Sequence, residues 1–99
     1  MNIYAPIAGS NDKSSLIVIP TSHLWEESEI KRTKSGGKVN GLTYTVPAVV
    51  DATRTIVPLR PNPGLDEVLV FSPYCIHGGA TNFTDDQTRV SLEIRFWRA

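Results

Sequence analysis

The chain has 99 residues, of which 40% are hydrophobic and 20% charged, and its ten basic and ten acidic residues cancel at neutral pH. That suits one globular domain spanning residues 1–99, and without a net positive surface counterion release cannot drive tight association with nucleic acid or anionic lipid. The single cysteine, Cys75, excludes an internal disulfide and fits a reducing compartment.

In chain order, Ile3 to Ile7 is a short extended segment that Pro6 assigns to a sheet edge or a strand end. Asn11, Asp12, Lys13, Ser14 and Ser15 form a turn. Leu16 to Ile19 is a β-branched run that predicts a central strand covered on both faces, ended by Pro20. Such runs are far too short to cross a bilayer as a helix. Met1-Asn2-Ile3-Tyr4 has no signal-peptide character, so a soluble, cytoplasmic protein is the expectation. His23 to Glu27 could form a helical turn, with Ser22 as a weak cap. Lys31, Arg32, Lys34 and Lys38, set among Ser35, Gly36 and Gly37, read as a solvated loop. Strands are predicted over Leu42 to Val50 and Arg54 to Leu59. Asn62-Pro63-Gly64 then makes a turn before a strand over Glu67 to Phe71. A loop over Ser72 to Thr84 carries His77, Gly78, Gly79 and Asn82, and the last strand runs from about Thr88 to Trp97. Short strands with turn chemistry between them mean an all-β sandwich or barrel. The chain has room for about six such strands, fewer than the roughly eight of a full jelly roll.

The last strand alternates strictly. One face receives Val90, Leu92, Ile94 and Phe96; the other receives Arg89, Ser91, Glu93, Arg95 and Trp97. Alternation alone assigns the apolar face to the core.

His77 follows an apolar strand in a glycine-rich loop, and Arg89-Val90-Ser91 opens the next strand. With Leu16-Ile17-Val18-Ile19-Pro20-Thr21-Ser22-His23, Pro63-Gly64-Leu65-Asp66-Glu67-Val68-Leu69-Val70-Phe71 and Ile76-His77-Gly78-Gly79-Ala80-Thr81-Asn82, this order resembles the C-terminal half of the iron(II)/2-oxoglutarate oxygenases. The likeness is to phytanoyl-CoA-hydroxylase-like members and to enzymes of carbohydrate and antibiotic gene clusters, and it covers nearly the whole chain. Thr21 stands where their Pro-Gly-Ser-His pattern has glycine. The resemblance implies a partial double-stranded β-helix, a cupin-like jelly roll lacking the N-terminal part of the full fold. It implies Fe(II) and 2-oxoglutarate as cofactors, with His77 as a metal ligand. Arg89 would anchor the distal carboxylate of 2-oxoglutarate, Ser91 would donate a further bond, and Asn82 would fix either the loop or a carboxylate oxygen. A planar guanidinium matches a carboxylate with two parallel charge-assisted bonds, which is why arginine suits that task. The resemblance also turns the last strand over, placing Arg89, Ser91, Glu93 and Arg95 toward the interior of the sandwich and the apolar residues outward.

The family's first two metal ligands form a His-x-Asp or His-x-Glu motif, which this chain lacks: its histidines are His23 and His77. The sequence therefore reads as beginning after that motif, and the isolated chain is expected not to be catalytically competent. His23 as a substitute ligand and Cys75-Ile76-His77 as a metal pair are weaker readings, because each leaves too few ligands. Two functions follow: part of an oxygenase that hydroxylates a small molecule, such as a sugar or a carrier-linked metabolite, or a non-catalytic jelly-roll module for binding or assembly. An outward apolar face and unpaired strand edges also predict a homo-oligomer.

Overall fold

The computed structural model describes residues 1–34, 36–39, 41–79 and 81–98. Apart from two 3₁₀ turns, Ser22–Leu24 and Glu27–Glu29, its regular structure is all strand, as the all-β expectation requires. In chain order the strands are β1 (Asn2–Ala8), β2 (Ile17–Val18), β3 (Ile30–Arg32), β4 (Gly37–Val39), β5 (Leu42–Tyr44), β6 (Val49–Ala52), β7 (Leu69–Phe71), β8 (His77–Gly78) and β9 (Val90–Arg95). They form small antiparallel sheets. Among the described residues no helix is long and apolar enough to cross a membrane. The chain divides into two compact units, Met1–His23 with Val57–Ala99, and Leu24–Ile56.

In the first unit β1 lies between β7 and β9. Of the two places read for this segment, a sheet edge or a strand end, the edge is not taken. Pro6 is compatible with a central place because β7 pairs only with Asn2, Ile3 and Tyr4, so the proline stands past the end of that ladder. On the β9 side Pro6 pairs with Ser91, and the register slips between Pro6 and Ala8. Alternation along β1 turns Asn2, Tyr4 and Pro6 into the interior, where all three are buried. β2 pairs with β8 on one side, and Val18 also bridges to Leu59 on the other. The interior position read for Leu16 to Ile19 is therefore found. The core is Tyr4, Leu16, Val18 and Cys75, with Leu69 and Phe71 packed against it.

Two short connections hold this unit together. Asn11 caps the turn before β2: its carbonyl accepts the amides of Ser14 and Ser15, and its side chain accepts that of Lys13 at 2.8 Å. Ser22 ties the end of β2 to the segment entering β8. Its buried hydroxyl donates to the Ile19 carbonyl and accepts the Ile76 amide, both at 2.7 Å.

In the second unit β3 pairs with β6, and β4 with β5. The expected strand over Leu42 to Val50 is thus two strands with different partners, divided around Pro47. Thr33 secures the entry to β6, its amide donating to the Ala48 carbonyl and its hydroxyl accepting the Ala48 amide, both at 2.9 Å. Glu29 binds Arg54 at 2.8 Å and also accepts the Glu26 amide. The arginine's hydrogen bond, and then the Glu26 amide, hold the Glu29 carboxyl below its usual range. Arg54 also lies over Trp25, 5.9 Å from the ring centre. The strand expected over Arg54 to Leu59 is not formed, apart from the Leu59 bridge: Pro58 offers no donor and the segment is exposed. Ser35, within the expected basic loop, lies outside the described residues.

Candidate functional site

β9 settles which face of the last strand turns inward. Its register sets Ser91 opposite Pro6 and Glu93 opposite Tyr4, so these residues share the face that carries the core. Ile94 and Leu92 pair with Ile3 and Ala5 on the other face, where Leu92 is 55% and Ile94 44% exposed. Alternation alone assigned the apolar residues to the core; the partner strand decides otherwise, because Tyr4 is the larger buried group. Arg89 and Ser91 are half-buried, whereas Glu93 and Arg95, farther along the same face, are exposed.

Arg89 immediately precedes β9. Its guanidinium carbon lies 5.7 Å from the centre of the Tyr4 ring, a cation–π distance. Tyr4 is fully buried, and its hydroxyl is tied to the Ser10 hydroxyl at 3.0 Å. On another side stands Gly79, where a Cβ would come within 3.2 Å of Arg89 Nη2. Gly9 allows the backbone to approach here as well: at φ +69° it faces Thr88, whose carbonyl oxygen would lie 2.0 Å from an added Cβ. The guanidinium is thus flanked by an aromatic ring and a bare backbone, and its buried Nη1 has no hydrogen-bond partner among the described residues. A buried guanidinium donor left open is costly unless an anion or water meets it. An acceptor in the plane of the guanidinium, carboxylate above all, is the chemical complement.

His77 lies in β8 opposite Val18 and shares that residue's core-facing side. Its ring meets Phe71 edge-on, with centroids 4.7 Å apart. Nδ1 stands 2.7 Å from the Cys75 carbonyl; since a carbonyl only accepts, Nδ1 carries the proton and Nε2 is left with the lone pair. Phe71 pairs with Asn2 and Leu69 with Tyr4, so the Phe71 contacted by His77 and the Tyr4 contacted by Arg89 belong to one face of the β7–β1–β9 sheet. His77 and Arg89 are therefore set over the same face.

Asn82 has a different place. It is exposed, and its amide nitrogen donates to the Gln87 carbonyl at 2.8 Å while its oxygen accepts the Thr84 amide and hydroxyl. Both ends take part in closing the turn before β9. Ala80, in the same motif, lies outside the described residues.

Arg60 is a positioning residue that the sequence did not mark. It donates to the Ser15 carbonyl at 2.7 Å and the Thr81 carbonyl at 2.6 Å, and it lies over the Phe83 ring. It thereby fastens the loop after His77 to the turn before β2. Its setting among prolines carries no pattern from which this could be read.

Among the described residues no three His, Cys, Asp or Glu side chains are grouped so as to hold a metal ion. His23 is exposed, and the buried Cys75 thiol is engaged by the Ile19 carbonyl at 3.3 Å and the Ser22 hydroxyl at 3.5 Å. His77 thus offers one nitrogen where non-haem iron(II) oxygenases use a facial set of two histidines and a carboxylate, and this donor set does not fit iron by itself. The open Arg89 donor, in contrast, fits a carboxylate. Comparison with protein-family models, curated proteins and solved structures returns no match.

Proposed function

We propose that this chain is the carboxylate-gripping part of an iron(II)/2-oxoglutarate-type oxygenase that hydroxylates a small molecule, such as a sugar or a carrier-linked metabolite. Its strands would then be the C-terminal portion of a cupin-like jelly roll. The observation that carries this reading is the buried, unpartnered Nη1 of Arg89 beside Ser91, on the sheet face that also receives His77. Arg89 would bind the distal carboxylate of 2-oxoglutarate, and the Ser91 hydroxyl, two residues along the same face, would donate to it. Asn82 would act through the loop it closes. His77, oriented by the Cys75 carbonyl, would present Nε2 to the metal. A donor that gives its other ring proton to a backbone carbonyl has the usual second contact of a metal-bound imidazole. No further ligands are grouped with it among the described residues.

Calorimetric titration with 2-oxoglutarate tests the assignment. Arg89→Ala should weaken binding by about 10-fold or more, the loss expected when a charge-assisted pair is removed. Arg95→Ala, an exposed guanidinium on the same strand face, should leave it unchanged. Equal losses in the two variants, or none in either, would remove Arg89 from its role. The chain would then be better described as a jelly-roll module for binding or assembly.

A further inference from the structure

We infer that these 99 residues hold carboxylates through Arg89 without a metal, and therefore do not distinguish 2-oxoglutarate from glutarate or succinate. The inference rests on the assignment of Arg89 as a carboxylate anchor and goes beyond it in naming what the site recognises.

A 2-oxo acid bound at a metal centre has two attachments. Its oxo-acid end chelates the ion, and its far carboxylate pairs with a cation. The first requires a group of donors around one ion. Here His77 contributes Nε2 alone, since Nδ1 is committed to the Cys75 carbonyl; the Cys75 thiol is enclosed by Ile19 and Ser22; and no third donor completes a group among the described residues. The second attachment has its cation in place. Tyr4 lies beneath the Arg89 guanidinium, Nη2 packs close to Gly79, and Nη1 is buried without a hydrogen-bond partner among the described residues. Ser91 extends the donor set along the strand.

The consequence is a definite selectivity. Glutarate has the carbon skeleton of 2-oxoglutarate but lacks the oxo group that would chelate an ion, and succinate is one methylene shorter. Where only one carboxylate is gripped, all three present the same group to Arg89. Glu93 and Arg95, next along this face, are exposed and screened by solvent, so neither adds strong discrimination against the far end of the ligand. One charge-assisted anchor gives a weak complex, with a dissociation constant on the order of a millimolar.

The test is calorimetry on the full chain with 2-oxoglutarate, glutarate and succinate, each with and without manganese(II), repeated on Arg89→Ala. The three ligands should bind within about threefold of one another. Manganese should move none of them by more than that, and the variant should lose all three by about 10-fold or more. If manganese raises 2-oxoglutarate affinity beyond threefold while leaving succinate unmoved, the metal takes part; this inference falls and the Arg89 assignment stands. A preference for 2-oxoglutarate over glutarate beyond threefold without metal overturns it too, because the oxo group would then be recognised by the protein. Absence of binding, or binding indifferent to Arg89→Ala, overturns both.

Discussion

Thr21 sits in the left-handed region at φ +66°, immediately after the proline that ends the β2 run. A β-branched side chain is costly there, by about 1–2 kcal/mol relative to glycine. Glycine gives back roughly 0.5–1 kcal/mol through the greater freedom of its unfolded chain. Thr21→Gly should therefore raise the stability of the first unit by about 0.5–1 kcal/mol, seen as a later urea midpoint. A midpoint that falls would mean that the threonine is bearing a contact worth more than its strain. The same position is where the Pro-Thr-Ser-His segment differs from the glycine-containing pattern it resembles.

Ser22 adds a second residue-scale test. Removing its hydroxyl leaves the Ile76 amide without this partner, while the Ile19 carbonyl keeps the Ser22 amide and the Cys75 thiol. Ser22→Ala should cost about 1–3 kcal/mol. Because it releases the segment entering β8, it should also loosen the orientation of His77. Faster hydrogen exchange at Ile76 and His77 would report this; unchanged exchange would confine Ser22 to packing.

At the scale of elements, what could be read from the sequence depended on whether a strand's role is set locally or by its neighbours. The alternation over Arg89 to Phe96 is local, and β9 forms within the predicted limits. Which face of it turns inward is decided by β1: Tyr4 is fully buried and its register carries Ser91 and Glu93 to its own side. The likeness to jelly-roll oxygenases points to that inward face, whereas the hydrophobic pattern points to the opposite one. The reverse happened with β1. Pro6 is a sound local argument against a central strand, yet a ladder that ends at Tyr4 leaves the missing donor without consequence. Arg54 to Leu59 has strand-like residues but little with which to pair, and propensity counts for little without a partner. Of the candidate site, His77, Arg89 and Ser91 are singled out by the resemblance to the oxygenases and not by alternation, which by itself reads the last strand as an ordinary half-buried one. The Tyr4 support, the close approach of Arg89 to Gly79 and the Arg60 clamp leave no mark in the sequence, since each joins elements through contacts that have no period.

For the whole molecule, the outward face of the first unit is a predicted association surface. Val70, Ile3 and Ile94 stand in one row across the three strands, with Ala5 and Leu92 in the next. Val70 is 52% exposed, and β7 and β9 each present an edge without a neighbouring strand. Apolar residues grouped in this way favour self-association. Size-exclusion chromatography over a range of concentrations should show a dimer or higher species, and Leu92→Lys should shift it toward monomer. A single monomeric peak at every concentration would count against this.

The central place of β1 also bears on how the molecule is made. Asn2 pairs with Phe71 and with Arg95, so during synthesis β1 must wait, unpaired, until strands far along the chain have been made. Long-range pairing of this kind makes folding slow, and the nascent segment from Asn2 to Ala8 is then a natural point of capture by chaperones and of misfolding when the last strand is lost.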